Sequence, residues 1–261
     1  MDFRRTFWST RPKTNRLAYY KFASKKALRL KGVEIDKDVE VEYKGTRFLV
    51  PKGFSEVLYS VYMDYSEPLT YRSMTNLTGA VFVDVGANVG GYTVRLGKRF
   101  GTVISIEPNQ RAADVLEKNI ELNRLANVSV VRAAISDTTG EATLNVPASG
   151  KTTRSSIIES YDGGSSFLVR TTTLDALLGG YDKIDLIKID AEGAEVKVLK
   201  GGKQTLRKTL KLVLELGSWS EREITEILDG AGFEFSDLDS KVKTGRNVMA
   251  INRLLSPRNE T

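Results

Sequence analysis

The chain contains neither cysteine nor histidine among its 261 residues. Without cysteine there is no disulfide framework, no thiolate metal site and no cysteine nucleophile. Without histidine there is no imidazole base and no histidine-ligated metal, so acid–base chemistry falls to carboxylates, lysine, tyrosine or water. No apolar run approaches the ~18 residues that a membrane span needs. The first thirty residues carry Arg and Lys throughout with no continuous apolar stretch, so no secretory signal is expected and a cytoplasmic location is. What is present is ordinary for a globular protein: 41% apolar and 28% charged residues.

The charge is unevenly placed. Residues 1–31 hold ten Lys/Arg against Asp2 alone, a local +9 in a chain whose total is +6. Leu17, Tyr20, Phe22, Ala27 and Leu28 interleave with these cations. Such an arm suits an anionic surface, lipid or nucleic acid. It equally suits a solvated helix packed on the domain edge, or a frayed terminus. Alternation at Val39, Val41 and Tyr43, a turn at Lys44-Gly45 and the run Arg47–Val50 predict a hairpin over 33–50. Residues 54–76 read as helical in part. Residues 1–75 thus form a basic arm with hairpin and helix, too small to fold alone, ahead of a main domain over 76–261.

That domain is organised around residues 81–93. Val81, Phe82, Val83 and Val85 form a β-branched and aromatic run, a buried strand that stops at Gly86. Gly86, Gly90 and Gly91 permit backbone conformations that a Cβ would block. Val89, Tyr92, Leu96 and Phe100 recur at helical spacing and predict a helix after the loop. Strand, glycine turn and helix make a nucleotide-binding corner. The next strand, Val103–Ile106, ends in Glu107-Pro108, about twenty residues beyond Gly86, where a carboxylate meets a ribose. NAD and S-adenosylmethionine (SAM) both present that ribose. Asn88, however, stands where the dinucleotide pattern requires its second glycine for approach to a pyrophosphate. SAM has no phosphate, so the wording of the loop favours SAM.

Strands and helices then alternate, which implies right-handed crossovers and a doubly wound sheet. Strands are expected at 128–133, 141–146, 166–171, 184–190 and 211–216. A Gly/Ser/Thr-rich loop spans 148–165, and an antiparallel ribbon, Phe233–Leu238 with Val248–Asn252, closes the chain. Thr172 or Thr173 caps a short helix, and Ser220 with Glu223 reads as a capping box.

The runs Phe82–Gly90, Ile106-Glu107-Pro108, Thr173-Leu174-Asp175 and Lys188–Glu195, in that order, resemble the FkbM family of SAM-dependent methyltransferases. The resemblance covers roughly residues 65–252. It implies a class I methyltransferase fold, α/β and Rossmann-like, with a seven-stranded sheet whose last strand is inserted antiparallel. It also implies methyl transfer mostly to oxygen, on sugars, glycans and natural products. The acid often found after the third strand is replaced by Ala134-Ile135, so adenine contacts there fall to backbone and apolar packing.

On this reading SAM is held by Asp84, Gly86, Ala87, Asn88, Gly90, Glu107, Pro108, Ala134 and Ile135. Asp84 anchors the ammonium, or braces the glycine turn, and Glu107 binds the ribose. An alcohol acceptor must lose its proton, and Asp190 and Glu192 at the end of the fourth strand are the candidate bases. Lys188, Arg154, Ser155 and Glu195 are the acceptor-side candidates. Glu192 and Glu195 could instead serve a helix N-terminus. No metal is expected, although Asp190, Glu192 and Glu195 leave a divalent cation open. The runner-up functions are an RNA methyltransferase using the basic arm and an NAD-dependent oxidoreductase. The first lacks an Asn/Asp-Pro-Pro-aromatic run and the second is disfavoured by Asn88.

Overall fold

The computed structural model describes residues 35–148, 154–217, 219–241 and 245–256. The basic arm, and Lys151 in the Gly/Ser/Thr-rich loop, lie outside the described residues. Twelve strands and nine α-helices are described. β1 (Val39–Tyr43) and β2 (Thr46–Val50) form the expected hairpin. Three short helices follow: α1 (Val57–Val61), α2 (Met63–Ser66) and α3 (Pro68–Thr75). The main sheet is built from β3 (Gly79–Val85), β4 (Phe100–Ile106), β5 (Val128–Val131), β9 (Ile184–Ile189), β10 (Thr209–Gly217), β11 (Phe233–Lys241) and β12 (Gly245–Asn252). Its order is β11-β12-β10-β9-β3-β4-β5, with β12 antiparallel to both of its neighbours. This is the seven-stranded class I sheet, including its inserted last strand. A separate three-stranded sheet joins β6 (Ala134–Ile135), β7 (Gly140–Val146) and β8 (Ser165–Thr172) in the order β6-β8-β7.

The sheet is buried on both faces, as helix-covered parallel strands require. On β3, Val81, Val83 and Val85 enter a core with Ile187, Ile189, Ile224 and Phe233. Phe82 faces the other way, against Leu96, Val103 and Leu186. Asp84 shares the Phe82 face, because side chains alternate along a strand. In register, Asp84 lies opposite Ser105 on β4 and Lys188 on β9. Three buried polar residues therefore run across the middle of an apolar sheet.

Helices α4 (Thr93–Leu96) and α5 (Gln110–Leu122) flank β4, with α6 (Leu174–Leu178), α7 (Glu195–Lys200), α8 (Lys203–Arg207) and α9 (Glu221–Gly230) further along. Thr173 caps α6 by accepting from the Ala176 N–H at 3.0 Å. Two local expectations fail. The helix after the glycine loop lasts one turn, passes into a 3-10 turn at Gly97–Arg99, and Phe100 opens β4 rather than extending a helical face. The Asn127 side chain donates to the Gly97 and Phe100 carbonyls, taking acceptors that a continuing helix would use. The Ser220–Glu223 capping box does not form. Ser220 has helical φ/ψ and donates to the Gly217 carbonyl at 3.3 Å, while Glu223 pairs with Lys200.

The hairpin and α1 pack on the main domain. Phe48, Val50, Phe54 and Leu58 share one apolar cluster with Val89, Val115, Leu116 and Ile120. Buried Asn119 on α5 accepts from the Leu49 N–H at 2.7 Å and donates to the Val89 carbonyl at 2.8 Å. One side chain thus ties hairpin, helix and glycine loop together.

Candidate active site

At the carboxyl ends of β3, β4 and β9 lies a cavity of about 400 Å³, within the ~300–1,000 Å³ span of small-molecule sites. Its floor is the glycine turn. Gly86 has φ +75°, and a Cβ there would stand 1.9 Å from the Asp190 carbonyl oxygen, so only glycine lets the β3 and β9 loops meet. The Gly86 and Ala87 N–H groups both donate to the Ile106 carbonyl at 3.0 Å. Asn88 takes a left-handed conformation (φ 49°), which Asn tolerates better than most side chains.

Two buried carboxylates hold this turn. Oδ2 of Asp84 accepts from the Thr93 N–H at 3.1 Å and hydroxyl at 2.7 Å. Among the described residues its buried Oδ1 has no hydrogen-bond partner. Burial pushes the Asp84 pKa up, against the opposing pull of Lys188. Glu107 takes the Asn88 N–H on one oxygen and the Asn109 N–H on the other, both at 2.8 Å. Burial pushes its pKa up to about 7 despite those two bonds. Pro108, Ala133, Ala134, Ile135 and Leu144 give this end of the cavity an apolar lining.

The other end carries the buried Lys188 and the half-buried Asp190, 3.1 Å apart. Burial pulls the Lys188 pKa down, but Asp190, Asp84 and Glu67 outweigh it and hold Lys188 above the ordinary lysine value. Its Nζ stands 5.2 Å from the centre of the Tyr92 ring, and the Tyr92 hydroxyl donates to Glu67 at 3.1 Å. Burial and the Glu67 charge push that hydroxyl's pKa well up, so it stays a donor. Glu192 has φ 48° and lines the cavity beside Ala191. The buried Ser156 hydroxyl donates to its carbonyl at 2.7 Å and pins the loop.

Most residues singled out from the sequence meet here: Asp84, Gly86, Ala87, Asn88, Glu107, Pro108, Ala134, Ile135, Arg154, Ser155, Lys188, Asp190 and Glu192 all line the cavity. Gly90 and Glu195 lie outside that lining. Gly90 makes room for Leu116, which a Cβ would approach to 2.5 Å. Glu195 turns back on its own loop and accepts from the Ala191 N–H at 2.9 Å and the Gly193 N–H at 3.3 Å. Ser155 accepts from the Asn109 side chain at 3.0 Å. Among the described residues no cluster of three or more acidic side chains stands in metal-binding arrangement. Sequence reasoning missed Glu56, Tyr59, Ser60, Met63 and Glu67, which line the cavity from α1, α2 and their flanks. No motif marks them; Tyr92, inside the glycine run, was the one legible hint.

An open α/β sheet of this order, with its cavity over the carboxyl ends of β3, β4 and β9, has the class I methyltransferase architecture. The model of the methyltransferase FkbM domain matches residues 84–235, and the chain belongs to that family of methyltransferases. The methyltransferase sdnD of Sordaria araneosa is 25% identical over 191 residues, covering 59% of this chain and 73% of that protein. Among solved structures, a precorrin-6y C5,15-methyltransferase from Geobacter metallireducens aligns with a TM-score of 0.43 at 12% identity, over 69% of this chain and 85% of its own. An rRNA methylase from Streptococcus thermophilus aligns with a TM-score of 0.46 at 10% identity, over 70% and 93%.

Proposed function

We propose that the protein uses SAM to methylate oxygen, on a sugar, glycan or related small-molecule hydroxyl or carboxyl group. The observation that carries this reading is the partnerless Oδ1 of Asp84, buried in the cavity floor beside Lys188. A buried acceptor without a donor is costly, and the ammonium of an amino-acid tail would satisfy it. Glu107 would take the ribose hydroxyls on lone pairs left over from its two backbone bonds, and Pro108, Ala134 and Ile135 would face the adenine. SAM supplies a methyl group already activated on sulfonium. The chain supplies position, which is much of the rate, and a base. Asp190 receives the acceptor's hydroxyl proton, and Lys188 holds that carboxylate ionised until it does. Arg154 and Ser155 on the cavity rim support acceptor contacts.

Calorimetry with SAM and S-adenosylhomocysteine tests the cofactor, followed by labelled-SAM transfer into a glycan or lipid-linked extract. Asp190→Asn should lose about 10²–10⁴-fold in transfer, the worth of a positioned base, while SAM affinity holds. Tight binding of NAD in place of SAM overturns the assignment. The +9 arm supports a second reading, an RNA acceptor held through phosphate contacts. Membrane docking of that arm, near a lipid-linked sugar, is the reading we favour. Among the described residues no helix is long and apolar enough to cross a bilayer.

A further inference from the structure

One wall of the cavity comes from outside the residues that match the family model. Tyr59, Ser60, Met63 and Glu67 precede residue 84, yet they line the same space as Lys188 and Asp190. This wall is fastened to the glycine loop by the Tyr92–Glu67 hydrogen bond and, separately, by Arg95. Arg95, on the single turn of α4, donates through one guanidinium nitrogen to the Gly91 carbonyl at 2.6 Å. Met63 Sδ lies 3.7 Å from that same nitrogen, and through the other the guanidinium donates to the Val61 carbonyl at 2.7 Å. The guanidinium stacks over Phe48, 4.7 Å from the ring centre. Burying a guanidinium to bond two carbonyls is costly, and the two carbonyls belong to the two segments in question. The loop backbone also packs against side chains of the wall: a Cβ on Gly91 would come within 2.8 Å of Met63 Sδ and 3.2 Å of Ser60 Cβ.

We propose that residues 56–67 form the acceptor wall of the site and that Arg95 is a positioning residue coupling this wall to the cofactor loop. The inference rests on the SAM reading above. The glycine loop is the part of the site that the cofactor would order, and Arg95 passes that order to the Val61 carbonyl and the wall behind it. Filling the cofactor end therefore rigidifies the acceptor end, so the acceptor meets a wall whose ordering cost is already met. Tyr59, Ser60 and Glu67 of this wall line the cavity beside Tyr92 of the loop, an aromatic and polar set suited to a polyhydroxylated ring.

Hydrogen-exchange mass spectrometry with S-adenosylhomocysteine as the probe tests the coupling on the full chain. With the probe at about 100 times its Kd, any state unable to bind is disfavoured up to about 100-fold. Peptides spanning 56–67 should exchange about tenfold more slowly. Arg95→Lys replaces a planar fork with a point charge that cannot bridge two carbonyls. It should keep probe affinity within about threefold and cut the probe-induced slowing below about twofold. A purely structural role would change exchange before the probe is added and leave the increment intact. Gly91→Ala, which displaces Ser60 and Met63 with Arg95 in place, should show the same loss and carries the test if the lysine variant misfolds. Tyr59→Ala should leave probe affinity within about threefold; a larger loss would place the wall at the cofactor end and overturn the assignment. Binding of the probe with unchanged exchange over 56–67, or full slowing in both loop variants, also overturns it. Failure of the probe to bind the parent chain overturns the SAM reading itself.

Discussion

Glu107 shows how much one residue's chemistry is set by its surroundings. From sequence it is an acid at a strand end; in the fold both its oxygens take backbone N–H groups and burial raises its pKa to about 7. Between the ordinary carboxylate range and about pH 7 the folded chain holds a proton that the unfolded chain has released, so stability falls as pH rises across that window. Ribose hydroxyls are donors and want the ionised form. SAM affinity should therefore weaken as pH falls through about 7, by up to about tenfold per pH unit. Calorimetry across pH 5.5–8.5 would read this as a proton taken up when SAM leaves; Glu107→Gln should lose the dependence near pH 7. At fixed neutral pH, Glu107→Ala should cost ~1.5–3 kcal/mol of SAM binding, the scale of hydrogen bonds to a charged acceptor. Unchanged affinity in that variant would remove Glu107 from the site.

Among the elements, β3 and β9 carry the site at one end and need registration at the other. Asp185, near the start of β9, accepts from the Ala80 and Val81 N–H groups at 2.7 and 3.0 Å and pairs with Lys183 at 3.2 Å. Burial alone would raise its pKa, but the two backbone donors and Lys183 win and lower it. The clamp fixes the register that places Asp84 opposite Lys188. Asp185→Ala should cost about 0.5–1.5 kcal/mol at neutral pH, the range for hydrogen bonds at a partly exposed site. A depressed carboxylate contributes stability above its unfolded pKa and loses it as pH falls through its folded pKa. Urea titrations at pH 7 and pH 3 should therefore show a gap between parent and variant that narrows at the lower pH. The failed Ser220 cap belongs to this scale too. A capping box needs an extended residue at the cap, and the chain leaving β10 turns helical one residue early.

For the whole molecule, the charge asymmetry gives a test that separates the partners. If residues 1–31 dock on an anionic bilayer, each basic residue near the surface contributes about 1 kcal/mol. Deleting them should then abolish sedimentation with anionic liposomes and leave turnover of a soluble acceptor nearly intact. If the partner is RNA, deletion should flatten the salt dependence of RNA binding, because phosphate contacts release counterions. Fluorescence anisotropy over a salt series, beside the liposome assay, tells the two apart. A truncated chain that matches the parent in both assays would show that the arm serves neither partner. Residues 35–75 cannot be trimmed in the same way, since Phe48, Val50, Phe54 and Leu58 complete a cluster with α5.

The sequence by itself determined the strand–glycine–helix corner, the alternation that makes a doubly wound sheet, the family, and the strand-end acids. Those features are local: glycine, a β-branched run and a carboxylate at a fixed spacing act through neighbouring backbone, so their pattern is written in one dimension. It overreached at α4, where a helical period ran on through Phe100 until Asn127, from beyond the next helix, took the carbonyls. Only the tertiary structure decided that Ser105, Asp84 and Lys188 form one buried polar row, because strand register depends on pairs far apart in the chain. Only it turned Glu195 back onto its loop and away from the cavity. It also brought Tyr59, Met63 and Glu67 to the site through Arg95 and a shared apolar core. A residue recruited by packing rather than by a backbone motif leaves no spacing to read, and that is why the cofactor end was legible and the opposite wall was not.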